Sequence, residues 1–297
     1  MQPKITQLVI LVVLIISACS PRAGDDDSSP TGSSEYLNNV GSDTMVNLAL
    51  AWAEQYQLDN PQANLSVSGG GSGTGIASLI NKTTDVANAS RKIKSEEIEN
   101  AQANGIDPIE FVVARDAIAI IVNPNNPISE LTLQQLSDIY SGKINNWQEL
   151  GGDDRPIVRL SRETNSGTHV YFLENVLRLG DKEDKTLFST NTLLLPSSEV
   201  IGAEIRSNPN AIGYDGLGYV TPDMKVVAVA DTGGEISAYV FPSAETVNDG
   251  SYPIARDLYM YTAGEPQGFV QRYLEWIFTP QAQSVVTRLG FVPIPVQ

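Results

Sequence analysis

The stretch Ser161-Arg162-Glu163-Thr164-Asn165-Ser166-Gly167-Thr168-His169 joins a predicted strand, residues 157–160, to a predicted helix that runs on to Gly180. The first turn of a helix has unpaired N–H groups and a partial positive charge, so it can bind an anion. Arg162 adds a planar set of donors that fits two oxygens of an oxyanion. On its own, the stretch is equally compatible with an ordinary helix cap beside a surface arginine.

Two earlier stretches repeat this order of strand, short polar turn and helix. Residues 36–40 lead into Gly41-Ser42-Asp43-Thr44, and helix-spaced apolar residues follow from Met45. The serine or the aspartate of this turn is a natural N-cap. Residues 65–68 lead into the glycine-rich run 69–75, where missing side chains let backbone N–H groups approach a ligand. This run has neither the G-x-G-x-x-G spacing nor the P-loop lysine, so it matches no common nucleotide motif.

The order of the predicted elements indicates the fold class. Strands alternate with helices, which predicts an α/β fold with a mostly parallel sheet. Within the predicted strand 111–122, the run 117–122 is nearly all apolar, as in a strand buried on both faces, and the turn 123–127 ends the strand. We place one crossover between two lobes at that turn and a second within 252–261. The other predicted helices are 133–141, 195–208, 269–278 and 281–289, and the other predicted strands are 85–90, 226–229 and one within 211–220.

The first residues predict an export signal. The apolar run 8–16 is too short for a comfortable membrane span and fits a signal peptide that ends in small residues. Ile16-Ser17-Ala18-Cys19 resembles a bacterial lipobox, which implies cleavage of residues 1–18 and lipid attachment to Cys19, the single cysteine. An unlipidated signal peptide with an incidental cysteine is the alternative. Residues 19–34, rich in Ser, Pro, Gly and Asp, predict a flexible tether between a lipid anchor and the folded part.

The composition of the chain limits the partners that it can bind and the reactions that it can catalyse. The 297 residues suit two domains, and their formal net charge of −16 makes nucleic acid and anionic membrane surfaces poor partners. An anion site must therefore use local donors against an unfavourable overall field. With one histidine and one cysteine, we expect no metal site. His169 follows Ser166 at a helix start, a poor geometry for a nucleophile and its base, so we expect a binding protein and not an enzyme.

Taken together, these stretches resemble one known family. The chain is similar to the phosphate-binding component of bacterial Pst-type ABC importers, which has a periplasmic-binding-protein fold. The matching stretches are spread over nearly all of the mature chain; each is weak alone, and their combination is specific. They are Gly41-Ser42-Asp43-Thr44-Met45, Gly71-Ser72-Gly73-Thr74-Gly75, 85–91, 139–147 with Glu149-Leu150-Gly151-Gly152, 162–168, and Ile212-Gly213-Tyr214 with Gly218-Tyr219-Val220.

The resemblance implies an α/β fold of type II, with two lobes, two crossover strands and a ligand cleft between the lobes. Lobe one would hold residues 35–123 plus 249–297, and lobe two residues 124–248. The implied function is capture of inorganic phosphate in the periplasm or at the cell surface by a lipid-anchored monomer without cofactor, and delivery to the permease subunits of an ABC importer. The implied phosphate contacts are Thr44 and Met45 through their backbone N–H groups, Ser72, Arg162, Ser166, Gly167 and Thr168.

One position departs from the family pattern. Many members carry an aspartate at the end of strand 85–90, where this chain has Ser90-Arg91. A carboxylate near the site would distinguish protonated phosphate from sulfate, and Asp43 is our first substitute, followed by Asp116 and Glu163. Alternatively, Asp43 only caps its helix and Glu163 only orients an arginine. The further candidate contacts are Ser42, Asp43, Gly73, Thr74, Ser90 and Arg91.

The sequence leaves rival functions open. The same mechanism would serve another oxyanion, such as sulfate, molybdate or a phosphonate. A surface sensory or interaction protein, or a weak phosphatase, could be built on the same fold. A titration with phosphate and sulfate discriminates among the anions, and incubation with a phosphate ester tests for hydrolysis.

Overall fold

The structure is a computed structural model that describes residues 35–231 and 238–295. The predicted signal peptide and tether, residues 1–34, lie outside the described residues. The strands are β1 (Glu35–Gly41), β2 (Ala63–Ser68), β3 (Val86–Ala89), β4 (Ile109–Val122), β5 (Glu130–Thr132), β6 (Val158–Arg162), β7 (Leu193–Leu195), β8 (Ala211–Gly216), β9 (Lys225–Ala230) and β10 (Ala255–Thr262). The helices are α1 (Asp43–Asp59), α2 (Ser72–Ile80), α3 (Ser95–Ala103), α4 (Leu133–Ser141), α5 (Gly167–Phe172), α6 (Ser198–Ser207), α7 (Ala244–Asn248), α8 (Gly268–Ile277) and α9 (Pro280–Arg288).

The strands confirm the predicted α/β class. Their order along the sheet is β2-β1-β3-β10-β4-β8-β6-β7, and β9 pairs with both β4 and β5. Strand β1 runs parallel to β2 and β3, and β6 runs parallel to β7 and β8. The long strand β4 is antiparallel to β8, β9 and β10. The sheet is therefore parallel toward both ends and antiparallel in the middle, where β4 and β10 connect the two lobes.

The two largest hydrophobic cores among the described residues mark the lobes, and the chain passes between them within β4 and near the start of β10. Ala114 belongs to the first core and Ala117 to the second. On the return path, Ile254 belongs to the second core and Leu258 to the first. The change along β4 thus comes before the turn 123–127, where the sequence predicted the crossover. The two residues between the cores, Arg115 and Asp116, interrupt the apolar pattern of β4. The exact lobe limits stay predictions.

Local signals explain the helices that the sequence predicted well. In α1, Met45, Leu48 and Trp52 are fully buried at helical spacing, so one face of the helix packs on the first core. Helix α4 begins after Thr132, whose hydroxyl accepts the Gln135 N–H. It ends with Gly142 in the left-handed conformation at φ 85°, where glycine carries no steric penalty.

The prediction of one helix over 195–208 is wrong in its first part. Leu195 ends β7, and α6 begins at Ser198 after Ser197, which caps it through the Val200 N–H. Pro196 explains the break, because the residue before a proline disfavours the helical conformation. The helix that follows the opening stretch also differs, since α5 continues as a π-helical segment, Leu173–Leu177.

Candidate anion-binding site

The N-terminal turns of α1, α2 and α5 meet between the two lobes. The hydroxyl oxygens of Thr44 in α1 and Thr168 in α5 are 2.8 Å apart, and both side chains are buried. Beside them, the N–H of Gly73 in α2 donates to the carbonyl of Asn165 at 3.0 Å. The α1 and α2 residues belong to the first lobe, and the α5 residues belong to the second. Hydroxyls and N–H groups from both lobes therefore converge, and such donors suit an oxyanion.

Ser72 and Ser90 add a second pair of hydroxyls on the first lobe. Their oxygens are 3.3 Å apart, and the Ser90 N–H donates to Ser72 Oγ at 3.0 Å. Gly167 of the second lobe packs directly against them. A Cβ placed on Gly167 would collide with Ser72 Oγ and would lie 2.6 Å from Ser90 Oγ. The close approach of the two lobes at this point depends on the missing side chain.

Arg162 ends β6 and reaches across to the first lobe. Its guanidinium forms an ion pair with Asp43 at 2.7 Å, and its side chain is only 1% exposed. It also donates to the Pro196 carbonyl at 2.8 Å and to Ser198 Oγ at 3.2 Å. The other oxygen of Asp43 accepts the Gly70 N–H at 3.0 Å. An anion at this site would therefore meet a guanidinium that already shares its charge with one carboxylate.

Asp215 is a buried acid that the sequence analysis missed. Its Oδ1 accepts hydrogen bonds from Ser198 Oγ and from the Gly216 N–H, both at 2.8 Å. Its Oδ2 is buried and has no hydrogen-bond partner among the described residues. Burial raises the pKa of Asp215 to about 6, against the opposing effect of Arg162. An acidic residue inside an otherwise apolar strand is the signal that could have marked it.

Asp116 and Arg256 form a second buried ion pair, and Arg256 was also missed from the sequence. The Asp116 carboxylate accepts from Arg256 at 2.8 and 3.2 Å. Arg256 also donates to the Ser90 carbonyl at 3.1 Å and to Thr44 Oγ1 at 3.4 Å. Burial raises the pKa of Asp116, and the charge of Arg256 opposes that rise. Both partners lie on the strands that connect the lobes, one residue in each, so no local sequence pattern pairs them.

Several predicted residues lie beside the site but face elsewhere. Thr74 is exposed, and its hydroxyl donates to the Gly70 carbonyl at 2.6 Å. Arg91 is held by Glu97 through two hydrogen bonds of 2.6 and 2.8 Å. Glu163, the third candidate for recognising a protonated anion, is exposed. The structure therefore gives Thr74 and Arg91 other partners.

Other predicted residues are close by but engaged locally. The Met45 N–H donates to the Ser42 carbonyl at 3.0 Å, and the Ser42 N–H donates to the Asn88 carbonyl at 2.9 Å. Ser166 is the N-cap of α5, where its hydroxyl accepts the Thr168 N–H at 3.2 Å. The N-cap of α1 is Ser42, and the Asp43 carboxylate accepts hydrogen bonds from the Gly70 N–H and from Arg162. The interpretation that Asp43 only caps its helix is therefore wrong.

His169 packs inside the second lobe. Its Nδ1 lies 3.0 Å from Ser161 Oγ, which in turn lies 2.5 Å from the Tyr214 hydroxyl. Burial lowers the pKa of His169, so the neutral ring is favoured. Ser161 has no exposed surface. This chain of hydrogen bonds anchors the end of β6 next to Arg162, and it gives the Ser161 hydroxyl no open face for a substrate.

Among the described residues, the structure shows neither a metal-binding cluster nor a membrane-spanning helix. Over residues 35–231 and 238–295, no three His, Cys, Asp or Glu side chains are grouped to hold a metal ion. In the same residues, no helix combines the length and the apolar character needed to cross a membrane.

This geometry defines a class of protein: two α/β lobes joined by β4 and β10, with a buried cluster of hydrogen-bond donors between them that suits an anion. Residues 27–281 match the family model described as the PBP superfamily domain. The phosphate-binding protein PstS of Pseudomonas aeruginosa is 33% identical over 304 residues, covering 95% of this chain and 92% of that protein. The PstS protein of Bacillus subtilis is 30% identical and covers 98% and 93%.

Solved structures agree with the sequence comparison. A protein of Clostridium perfringens, described as a phosphate ABC transporter substrate-binding protein and solved with bound phosphate, superimposes with a TM-score of 0.78. It is 30% identical in sequence, and the match covers 88% of this chain and all of that chain. The chain belongs to the PBP superfamily and, within it, to the family of the phosphate-binding PstS proteins.

Proposed function

We propose that this protein captures inorganic phosphate between its lobes, outside the cytoplasm, and delivers it to the permease subunits of an ABC importer. The observation that carries the proposal is the contact of the two lobes at three places: Thr44 with Thr168, Ser72 with Gly167, and Asp43 with Arg162. The relatives named above are phosphate-binding proteins by name, and they extend over nearly the whole chain. The proposed phosphate contacts are Thr44, Met45, Ser72, Arg162, Ser166, Gly167 and Thr168.

The donor set supports a tetrahedral oxyanion. Hydroxyls and helix N-terminal N–H groups supply directed partial charges, and Arg162 supplies one full charge that Asp43 partly balances. Because the fold holds these groups in place within each lobe, they need little rearrangement relative to their own lobe when the lobes close on an anion. Directed donors of this kind act at short range, which suits a chain whose net charge of −16 repels anions at a distance.

The proposed role is binding and transport without catalysis, by a monomer that needs no cofactor. Support comes from the relatives, whose names are those of binding proteins. The buried His169–Ser161 contact gives no general base that reaches the anion donors. Incubation with a chromogenic phosphate ester, with and without divalent metals, should release no product above background.

A direct test of phosphate capture is calorimetry on the ligand-stripped soluble domain. We expect phosphate to bind with one site per chain and to bind more tightly than sulfate. Tighter binding of sulfate, molybdate or a phosphonate would move the proposal to that anion. Absence of heat for phosphate and sulfate alike would contradict the proposed function.

We further propose that a lipid on Cys19 anchors the protein to an extracytoplasmic membrane surface. Support comes from the lipobox-like Ile16-Ser17-Ala18-Cys19 and from the polar composition of residues 19–34. In cells that process lipoproteins, Cys19→Ser should move the protein from the membrane fraction to the soluble fraction. Ser20→Ala is the matched control and should stay in the membrane fraction. Retention of the Cys19→Ser protein on the membrane would refute the anchor.

Asp43 remains our first candidate for distinguishing phosphate from sulfate. It is the carboxylate that contacts Arg162, whereas Asp116 is paired with Arg256 and Glu163 is exposed. A carboxylate accepts the proton of phosphate but repels the bare oxygens of sulfate. We expect Asp43→Asn to raise sulfate affinity and to lower the preference for phosphate.

The test of this selectivity is titration of both anions between pH 5 and 8. Glu163→Gln is the control and should leave the ratio of the two affinities at the parental value. Asp215→Asn is the informative comparison, since Asp215 is the other carboxylate connected to Arg162. A ratio that changes in Asp215→Asn and stays constant in Asp43→Asn would transfer the role to Asp215.

A further inference from the structure

We propose that Arg256 is a positioning residue of the anion site, which fixes the direction of the Thr44 hydroxyl and the end of β3. The inference rests on the proposed function, because it assigns a role in the same site. Arg256 makes no hydrogen bond to the Asp43–Arg162 ion pair. It also lies outside the N-terminal turns of α1, α2 and α5. Its evidence is the set of contacts around one guanidinium.

Arg256 lies on one of the two strands that connect the lobes. Asp116 and Arg256 are directly paired residues of β4 and β10, with the two strands antiparallel. The hydrophobic cores change over at this level, between Ala114 and Ala117 on one strand and between Ile254 and Leu258 on the other. The pair is fully enclosed, with side-chain exposures of 0% for Asp116 and 2% for Arg256. The guanidinium therefore sits where the connecting strands leave one lobe for the other.

On the first lobe, Arg256 donates hydrogen bonds to Thr44 and to Ser90. Arg256 has only donors, so its contact of 3.4 Å with Thr44 Oγ1 makes that oxygen an acceptor. The single hydroxyl proton of Thr44 is then free to be donated, either to Thr168 Oγ1 or to an anion oxygen. A second guanidinium nitrogen holds the Ser90 carbonyl at 3.1 Å. Arg256 thus presents Thr44 as a donor and fixes the strand end that carries Ser90.

The Asp116–Arg256 ion pair also contacts the second lobe. The Oδ1 of Asp116 accepts the Leu217 N–H at 3.2 Å, and Gly216 packs against the same carboxylate. The carbon at the centre of the Arg256 guanidinium lies 5.8 Å from the ring centre of Tyr171 in α5. The ion pair therefore touches both lobes.

The role of Arg256 differs from that of Arg162. Asp116 balances the charge of Arg256, so the pair adds little net attraction for an anion. What Arg256 supplies is direction, through a planar fork that reaches Asp116, Ser90 and Thr44 together. Lysine carries the same charge on one nitrogen and cannot reproduce the three-way fork. Charge and geometry can therefore be separated by a single substitution.

The test is Arg256→Lys, with phosphate affinity measured by calorimetry and folding monitored by thermal melting. We expect a folded protein whose phosphate Kd rises about 5- to 30-fold, as for the loss of hydrogen bonds that a charged group makes. Arg115→Lys is the matched control, because Arg115 pairs with Asp257 across the same two strands but is exposed. That variant should bind phosphate like the parent.

A double-mutant cycle with Thr44→Ala reports on the mechanism. If Arg256 acts through the Thr44 hydroxyl, Arg256→Lys should weaken binding less in the Thr44→Ala protein than in the parent. A merely structural role predicts equal fold-changes in both backgrounds. Should Arg256→Lys fail to fold, the double variant Asp116→Asn with Arg256→Gln removes both charges and should bind phosphate more weakly by a similar factor.

The outcomes distinguish the inference from the function on which it rests. A parent that binds phosphate, together with an Arg256→Lys protein of parental affinity, overturns the positioning role alone. Equal fold-changes in the two backgrounds overturn it as well. A parent that binds neither phosphate nor sulfate overturns the proposed function and the inference together.

Discussion

Arg162→Ala should weaken phosphate binding by about 2–5 kcal/mol, the range found when one partner of a buried, hydrogen-bonded charge pair is removed. The guanidinium is almost completely buried, and it supplies charge-assisted hydrogen bonds. Its removal would also leave Asp43 without its cation, so a carboxylate would face the incoming anion. The lost attraction of Arg162 and the exposed repulsion of Asp43 both weaken phosphate binding.

Neutral donors provide the comparison. Single alanine substitutions of Ser72, Ser166 or Thr168 should cost about 1–3 kcal/mol each, since each leaves a buried partner unsatisfied but removes no charge. Calorimetry on the four variants, with thermal melting as the check on folding, measures the difference. The double variant Arg162→Ala with Asp43→Asn should recover part of the loss. Parental affinity in folded Arg162→Ala protein would exclude this loop as the phosphate site.

Gly167→Ala should block closure of the lobes while leaving each lobe folded. Gly167 is the first residue of α5, where alanine is a better helix former, so the stability of the second lobe should not fall. The new methyl group would instead collide with Ser72 and Ser90 of the first lobe. Overpacking of a tight contact costs about 1–3 kcal/mol, and here it falls on the closed form that holds the anion.

The measurement is small-angle scattering with and without phosphate, combined with calorimetry. Parental protein should become more compact at saturation, as expected for hinge closure about the connecting strands. Gly167→Ala should compact less and should bind more weakly. Gly73→Ala is the milder comparison, because its added Cβ would lie 3.3 Å from the Asn165 carbonyl oxygen, a tight contact that needs a shift of a few tenths of an ångström, and it should compact more than Gly167→Ala. Equal compaction of all three proteins would contradict the closure mechanism.

The sequence predicted the fold class and most elements, because these depend on local physical properties. The spacing of Met45, Leu48 and Trp52 requires one apolar helix face whatever the partner is. Capping at Thr132 and the left-handed Gly142 fix both ends of α4 with groups only a few residues away. The polar turns before α1, α2 and α5 were likewise visible, and with them Thr44, Ser72, Arg162 and Thr168.

Only the tertiary structure decided which of these groups meet and which charges balance them. The Asp43–Arg162 and Asp116–Arg256 pairs each join residues more than a hundred positions apart in sequence. Asp215 gained its altered pKa from burial, which the sequence does not show. The hydrophobic cores also change over inside β4, at Arg115 and Asp116, and not at the turn that ends the strand. Local patterns specify elements, whereas the packing of distant strands determines how the donors and the acids around the site are arranged.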